Sequence, residues 1–302
     1  MRPPVSSPRL LKNPVLPAPA ADPWIIEHEG LWYSLQAAEL HLELRISSCF
    51  SLLDQAEPRI IWRAPSSGPA SRNLWAPELH FLESDWVIYV AADDGRNENH
   101  RMWTLRAPAP VGPWVLCGPL DTGGWAIDGT VLSAGDERYF VWSGWPGNRD
   151  GQQNLYIAPM RDPWTLGGPR RLLAEPTEPW ERVAMPLCEG PQILRRGSRT
   201  FLVYSASGSW TPDYCLGMLV LEGSDFMSPK AWHKVPRPVF SRTEKVWGVG
   251  HCCFAWHPEE GDLLFYHAKT SLKPGWHDRH VRVQRFTWSP EGVPVFGAPA
   301  AS

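Results

Sequence analysis

The sequence lacks the features that mark a membrane protein, a zinc protein or a nucleic-acid-binding protein. No apolar run approaches the roughly 20 residues that a membrane-spanning helix needs. None of the six cysteines forms a CxxC pair, so a zinc knuckle is not indicated. Charged residues make up only 20% of the chain, the formal net charge is -3, and no basic run stands out. We therefore expect neither a membrane nor a nucleic-acid partner.

Several catalytic and targeting motifs are missing as well. The chain has no GxSxG elbow, no Walker loop and no dinucleotide-binding fingerprint in a strand–turn–helix context. Its first residues, MRPPVSSPRLLKNP, contain no apolar stretch of the kind found in signal peptides. We therefore expect a cytoplasmic protein. A secreted protein whose signal peptide had been removed would begin in the same way.

What the sequence does contain is an unusual number of tryptophans and prolines. There are 18 Trp and 32 Pro among 302 residues, and 43% of the residues are hydrophobic. Proline spread along the whole chain favours many turns and few long helices. Tryptophan suits either a packed β-rich core or the stacking of sugar rings, and we expect core packing for most of them. The composition is that of a large β-rich domain.

Short strand-like segments recur every 53 to 63 residues along the chain. Each is rich in aromatic and β-branched residues and follows a turn signal such as EHEG, AGDE or PEEG, which is the pattern of a β-strand. The five segments are anchored at Trp32, Trp86, Tyr139, Phe201 and Leu264. A repeat of this length is typical of a β-propeller blade.

A second series precedes the aromatic one, with a polar residue beside Pro or Gly in each unit. These polar residues are Asp22, Glu78, Asp128, Glu189 and His251. Five units with room for four short strands each predict an all-β, five-bladed β-propeller over residues 13–298, after a flexible tail at 1–12. Because the first strand of each blade lines the central channel, we expect these polar groups to converge at one mouth of it. Taken singly, each could instead be an ordinary turn residue.

These residues lie in segments that together resemble glycoside hydrolase family 43, in particular its exo-acting α-L-arabinofuranosidase members. The similarity extends over about residues 13–297 and rests on segments that occur in order at blade spacing: NPVLPAPAADPWII, WAPELHFLESDWVIYVAADDGRNENHRMWTL, AIDGTVL, CEGPQIL, VGHCCF and RHVRVQRFTW. Two positions depart from the usual pattern. Cys188 stands where the family commonly has Asn, and Cys252 follows Gly250 and His251 where the family commonly has GHN.

The resemblance implies an inverting hydrolysis by three carboxyl groups. Asp22 would be the general base and Glu189 the general acid, while Asp128 would raise the pKa of Glu189 and orient it. The resemblance also implies that Arg282 binds a sugar hydroxyl, although its neighbour Arg279 could be confused with it. We expect no required cofactor, with a structural Ca²⁺ held through water at His251 as an option that the family offers.

Two further residues are candidates for substrate binding. Trp75 in the WAPE segment either stacks on a sugar or packs in the core, and Glu78 is expected to point into the same channel. The predicted substrate is an arabinan or an arabino-oligosaccharide, and the sequence does not define the oligomeric state. A β-xylosidase and an endo-arabinanase are alternatives within the family, and a non-catalytic carbohydrate-binding propeller is an alternative of another class.

Overall fold

The computed structural model describes residues 11–301, and the regular secondary structure of the described chain is almost entirely β-strand. Its 22 strands form a ring of sheets in which the neighbouring strands of each sheet pair antiparallel. Only four short 3₁₀ turns interrupt them, at Phe50–Leu52, Asn97–Asn99, Pro179–Glu181 and Pro229–Ala231. The predicted five-bladed propeller is confirmed. Of the predicted tail at 1–12, residues 1–10 lie outside the described residues, whereas Lys12 donates a hydrogen bond to Asp54.

The first two blades are four-stranded meanders. Blade 1 consists of β1 to β4, at Trp24–His28, Leu31–Ala38, His41–Ser47 and Arg59–Arg63. Blade 2 consists of β5 to β8, at Arg72–Leu82, Asp85–Asp93, Arg101–Ala107 and Val115–Pro119. The aromatic segments around Trp32 and Trp86 are the second strands, β2 and β6, and they are buried because both of their faces pack against neighbouring strands and blades.

Blades 3 and 4 follow the same plan. Blade 3 consists of β9 to β13, at Ala126–Ala134, Glu137–Gly144, Asn154–Asp162, Thr165–Leu166 and Arg171–Ala174, the last two of which both pair with β11. Blade 4 consists of β14 to β17, at Cys188–Arg196, Arg199–Ala206, Cys215–Leu221 and Trp232–Lys234. The aromatic segments at Tyr139 and Phe201 are again the second strands.

The fifth blade closes the ring with help from the beginning of the described chain. Its sheet contains β18 to β20, at Trp247–His257, Gly261–Lys269 and Arg279–Arg285, and a small hairpin follows with β21 and β22, at Thr287–Trp288 and Pro294–Val295. Leu16 forms an antiparallel bridge with Val281 on β20, and the Asn13 side chain bonds both the N–H and the C=O of Val283. The segment before blade 1 thus occupies the fourth-strand position of blade 5.

The core lies between adjacent blades rather than at the centre of the ring. Four hydrophobic clusters fill the boundaries between neighbouring blades, and one of them joins blades 1, 2 and 5. The innermost strands are β1, β5, β9, β14 and β18, which contact one another around the axis. Within residues 11–301, no helix has both the length and the apolar character that crossing a bilayer requires.

Candidate active site

Each blade has a residue with a left-handed backbone at the same end of its innermost strand. The φ angles are 48° at Asp22, 42° at Ala76, 55° at Asp128, 52° at Gly190 and 44° at His251. In blades 2 to 5 this residue coincides with a shift in strand register, which is the signature of a β-bulge. Bulges re-aim side chains, and non-glycine residues adopt this conformation only where the surroundings enforce it. The repeated bulge turns polar groups towards one mouth of the channel.

That mouth opens into a cavity of about 580 Å³. Asp22, Asp128, Glu189, His251 and Trp75 all line it, so the expected convergence of distant segments occurs. The remaining wall is mainly aromatic and apolar and includes Trp125, Ile127, Met185, Leu187, Trp210 and Trp276. Carboxyl groups set in a concave, largely apolar wall are typical of a site that binds and processes a small molecule.

Asp22 is held by three cationic or ionisable groups. Its Oδ1 lies 3.2 Å from Nη1 of Arg279, 3.1 Å from Nδ1 of His267 and 3.4 Å from Nδ1 of His251. Burial acts to raise the pKa of Asp22, but Arg279, His251 and His267 outweigh it and hold that pKa well below its usual range. The Asp22 carboxylate is therefore ionised and able to accept a proton near neutral pH.

Glu189 is in the opposite electrostatic situation. It is buried at the start of β14, and its Oε1 accepts a hydrogen bond from the Tyr214 hydroxyl at 2.8 Å. Burial, reinforced by the negative charge of Asp22, raises the pKa of Glu189 to about 7, while Tyr214 and Arg279 act in the other direction. Glu189 can therefore carry a proton at a pH at which Asp22 is ionised.

Asp128 sits between these two groups on β9. Its Oδ2 accepts a hydrogen bond from the backbone N–H of Gly190 at 3.0 Å and lies 3.9 Å from Nδ1 of His251. Burial raises the pKa of Asp128 to about 7, with Glu189 and Asp22 adding to the effect and His251 opposing it. Because two buried like charges disfavour each other, Asp128 and Glu189 titrate as an interacting pair.

Two of the four predicted substrate-binding residues lie at the cavity. Trp75 is partly exposed there and stacks on His100 with 3.9 Å between ring centroids. His251 also lines the cavity, and its backbone N–H donates to Oγ of Ser205 at 2.7 Å. Glu78 is buried away from the cavity lining, where its carboxylate bonds Gln192 and His80.

Arg282 does not reach the cavity. Its Nη2 donates to the carbonyl of Ala300 at 2.6 Å, and its Nη1 lies 3.1 Å from Nε2 of His280. Alternate residues of β20 point to opposite faces of the sheet, so Arg282 and Arg279 cannot share one. Arg279 is the arginine that lines the cavity and contacts Asp22, and it replaces Arg282 in the proposed site.

Sequence reasoning alone did not single out Tyr214 or His267. Tyr214 directly precedes β16 and belongs to neither repeated series, so no pattern marked it. His267 lies in the repeated aromatic strand of blade 5, and its ring stacks on Tyr214 with 5.3 Å between centroids. Gly250 leaves room for Tyr214, because a Cβ there would lie 2.2 Å from the tyrosine ring. A glycine beside a polar bulge residue is the one local signal of this close approach.

The channel mouth does not offer a direct cage for a cation. Across residues 11–301, no group of three or more His, Cys, Asp and Glu side chains is arranged to hold a metal ion. Ca²⁺ prefers six to eight oxygen ligands, whereas the carboxylates nearest to His251 contact Arg279 and the Gly190 amide. The side chains present do not fit a directly bound Ca²⁺.

Fold and site together define a five-bladed propeller with a carboxyl-lined pocket at one mouth of its channel. The chain matches the model of the family described as Glycosyl hydrolases family 43 over residues 11–294. This match extends over nearly the whole chain, and the protein therefore belongs to glycosyl hydrolase family 43.

Individual relatives agree with this assignment. The chain is 33% identical over 303 residues to "Alpha-L-arabinofuranosidase 43" of Humicola insolens, covering 92% of this chain and 62% of that protein. It is 35% identical to the "Extracellular exo-alpha-(1->5)-L-arabinofuranosidase" of Streptomyces chartreusis, covering 82% of this chain and 80% of that protein. Its fold is similar to the crystal structure of an α-L-arabinofuranosidase from Lactobacillus brevis, with a TM-score of 0.90, 35% identity and coverage of 95% and 96% of the two chains.

The chain does not span the full length of every relative. It covers about 62% of the Humicola insolens protein, and it covers the same share of the Streptomyces avermitilis relative, to which it is 31% identical. The activities of those larger proteins therefore serve as hypotheses for the activity of this chain.

Proposed function

We propose that this protein is an inverting, exo-acting α-L-arabinofuranosidase that releases arabinose from arabinan or arabino-oligosaccharides. The observation that carries the proposal is the opposite perturbation of two carboxyl groups in one cavity. The pKa of Asp22 is held below its usual range, whereas the pKa of Glu189 is raised to about 7. A pair of carboxyls whose environments push their pKa values apart is the usual source of a base and an acid in one site.

In this mechanism Asp22 takes a proton from a water molecule as that water attacks the anomeric carbon. Glu189 gives its proton to the glycosidic oxygen as the bond to that oxygen breaks. The attacking water and the leaving group lie on opposite faces of the sugar, so the configuration at the anomeric carbon inverts. The next cycle begins after Asp22 has lost its proton to solvent and Glu189 has regained one.

The other residues at the cavity would prepare these two groups for the reaction. Asp128 titrates together with Glu189 as an interacting pair and holds the adjacent backbone through Gly190. Arg279 keeps Asp22 ionised, and Tyr214 orients Glu189. The exposed aromatic faces of Trp75 and Trp276 offer an apolar platform for the C–H face of a sugar ring.

The names of the relatives support arabinose as the sugar. Those of Humicola insolens and Streptomyces chartreusis are called α-L-arabinofuranosidases, and the latter is called exo-acting on α-(1→5) bonds. A β-xylosidase or an endo-arabinanase would use the same three carboxyls. A non-catalytic carbohydrate-binding propeller would have no need of two carboxyls with opposed pKa shifts.

Assays with nitrophenyl α-L-arabinofuranoside and nitrophenyl β-D-xyloside, beside binding to arabinan, test the proposal. We expect hydrolysis of the arabinofuranoside at a kcat/KM at least about tenfold above that of the xyloside, in line with the discrimination one pocket contact provides. The reverse preference would make the protein a xylosidase. Binding to arabinan without hydrolysis of either glycoside would indicate a lectin.

Two further expectations concern metal content and location. We expect activity to persist in excess EDTA. Any Ca²⁺ would be held at His251 through water, and a loss of activity that added Ca²⁺ restores would establish a need for it.

All six cysteines are unpaired thiols, which is consistent with the predicted cytoplasmic location. The word "extracellular" in the Streptomyces names instead favours the secreted alternative, and cell fractionation distinguishes the two.

A further inference from the structure

Lys269, the last residue of β19, has a fully buried ammonium group that the proposed chemistry does not use. Its side chain is 0% exposed, and Nζ lies 2.5 Å from both Oδ1 of Asp278 and the carbonyl oxygen of Gly275. Burying a charge is costly unless it is paired and hydrogen-bonded, so these two acceptors stabilise it. Gly248 makes the room, since a Cβ there would lie 2.7 Å from Cγ and Cδ of Lys269.

Both acceptors belong to the loop at residues 270–278, which joins β19 to β20. Oγ of Ser271 donates to Oδ2 of Asp278 at 2.8 Å, and the backbone N–H of Thr270 donates to the Asp278 carbonyl. At the other side of the loop, the N–H of Gly275 donates to the carbonyl of Trp210. Lys269 is therefore the buried centre of the contacts that set the shape of this loop.

The loop carries two groups that face the site. Trp276 is 51% exposed and forms a wall shared by the main cavity and an adjoining cavity of about 330 Å³. Arg279 follows the loop directly, donating from Nε to the carbonyl of Trp276 at 3.0 Å and from Nη1 to Asp22. The backbone position of the loop thus determines where an aromatic wall and the cation beside the proposed base lie.

We propose that Lys269 is a positioning residue that fixes Trp276 against the sugar-binding cavity and Arg279 against Asp22. It acts through Gly275 and Asp278, which flank Trp276 on both sides, and it touches neither substrate nor reacting atoms. The inference rests on the proposed glycosidase function. It adds that the ion pair between buried Lys269 and Asp278 holds in place the cation that keeps the base ionised.

The expected signature is a change in pH dependence together with a change in KM. Asp22 is faced by His251 on β18, His267 on β19 and Arg279 on β20, with Asp128 and Glu189 across the cavity. If the loop moves, Asp22 loses its contact with the Arg279 guanidinium, whereas the other charged and ionisable groups around Asp22 keep their positions. The pKa of Asp22 then rises, so the acid limb of the kcat/KM profile moves to higher pH. A displaced Trp276 raises KM.

The experiment compares Lys269→Met with Lys273→Met, which alters an exposed lysine of the same loop. Backbone hydrogen exchange over residues 270–278 is measured by mass spectrometry beside the pH profile of kcat/KM. We expect Lys269→Met to lose protection in this segment, to raise KM by about tenfold and to shift the acid limb to higher pH. Lys273→Met should match the wild type. Unchanged exchange and an unchanged acid limb in folded Lys269→Met would overturn the proposal.

Asp278→Asn covers the case in which Lys269→Met does not fold. This variant changes a partly exposed acceptor and leaves the Gly275 carbonyl to Lys269, so we expect the same changes at smaller size. Wild-type behaviour of Asp278→Asn in both exchange and pH profile would also refute the positioning role. If the wild type hydrolyses no glycoside, the proposed function fails, while the exchange comparison still decides whether Lys269 holds the loop.

Discussion

The carboxylate of Asp128 accepts a hydrogen bond from the backbone N–H of Gly190, with 3.0 Å between Oδ2 and N. Gly190 directly follows Glu189, so a side chain of blade 3 fixes the backbone of the proposed acid in blade 4. A Cβ at position 190 would lie 3.1 Å from Nδ1 of His251, which makes glycine the fitting residue there. Asp128 can therefore affect Glu189 in two separable ways, through the backbone at Gly190 and through the coupled titration of the two carboxyls.

Asp128→Asn separates these two effects. The amide oxygen can still accept from Gly190, whereas the negative charge is lost, so the pKa of Glu189 should fall. We expect kcat/KM at pH 7 to drop by about 10²-fold and the alkaline limb to move to lower pH. Asp136→Asn, which changes an exposed aspartate of the same blade, is the matched control. A rate loss with an unmoved alkaline limb would show that Asp128 does not tune Glu189.

Removal of the Tyr214 hydroxyl should shift the alkaline limb of the kcat/KM profile to higher pH, opposite to the effect of Asp128→Asn. This hydroxyl donates to Oε1 of Glu189 and stabilises the ionised carboxylate, so its loss in Tyr214→Phe raises the pKa of Glu189 further. We expect the alkaline limb of kcat/KM to move to higher pH, with a loss of about tenfold at the optimum from poorer orientation of the acid. A limb that moves downwards would contradict this account of the hydrogen bond.

The raised pKa of Glu189 also predicts how stability depends on pH. A carboxyl whose pKa rises on folding, here from 4.5 to about 7, stabilises the fold below pH 4.5 relative to higher pH. That contribution is lost as the pH rises through about 7, because the folded protein must then bury a charge. Glu189→Gln should therefore raise Tm, relative to wild type, more at pH 8 than at pH 5. The exposed Glu57→Gln serves as control, and an equal difference at both pH values would contradict the burial argument.

An inverting reaction has a direct stereochemical consequence. If Asp22 activates water on the face opposite to the leaving group, the first product of an α-L-arabinofuranoside is the β-anomer. Proton NMR of the anomeric signals in the first minutes, before mutarotation, distinguishes the products. An α-anomer formed first would mean that a carboxylate acts as nucleophile, which would remove the general-base role from Asp22.

The propeller and the convergence of the three carboxyls at one channel mouth were predictable because both follow the repeat. Asp128 is the bulge residue of β9 and Glu189 directly precedes the bulge residue of β14, and the two bulges recur at the same place in their strands. The repeat was readable since aromatic second strands lie at regular intervals between turn signals. A feature that recurs in every blade can be recognised from the regular spacing of residues in the sequence.

Features that occur in one blade only were not predictable. The sequence RHVRVQR does not reveal which face of β20 points to the cavity, and the family resemblance pointed to Arg282 instead of Arg279. Tyr214 reaches Glu189 from a segment with no counterpart in the other blades. The pairing of Leu16 with Val281 joins the two ends of the described chain, and no local pattern encodes such a contact.

The central claim is that Glu189 gives a proton to the leaving oxygen while Asp22 activates water, and one pair of rate ratios tests it. We compare kcat/KM of Glu189→Gln and Asp22→Asn on an arabino-oligosaccharide, whose leaving group needs the proton, and on a nitrophenyl arabinofuranoside, whose leaving group does not. Glu189→Gln should lose about 10²- to 10⁴-fold on the oligosaccharide and much less on the nitrophenyl glycoside, whereas Asp22→Asn should lose activity on both. Equal losses on the two substrates for Glu189→Gln would contradict the account.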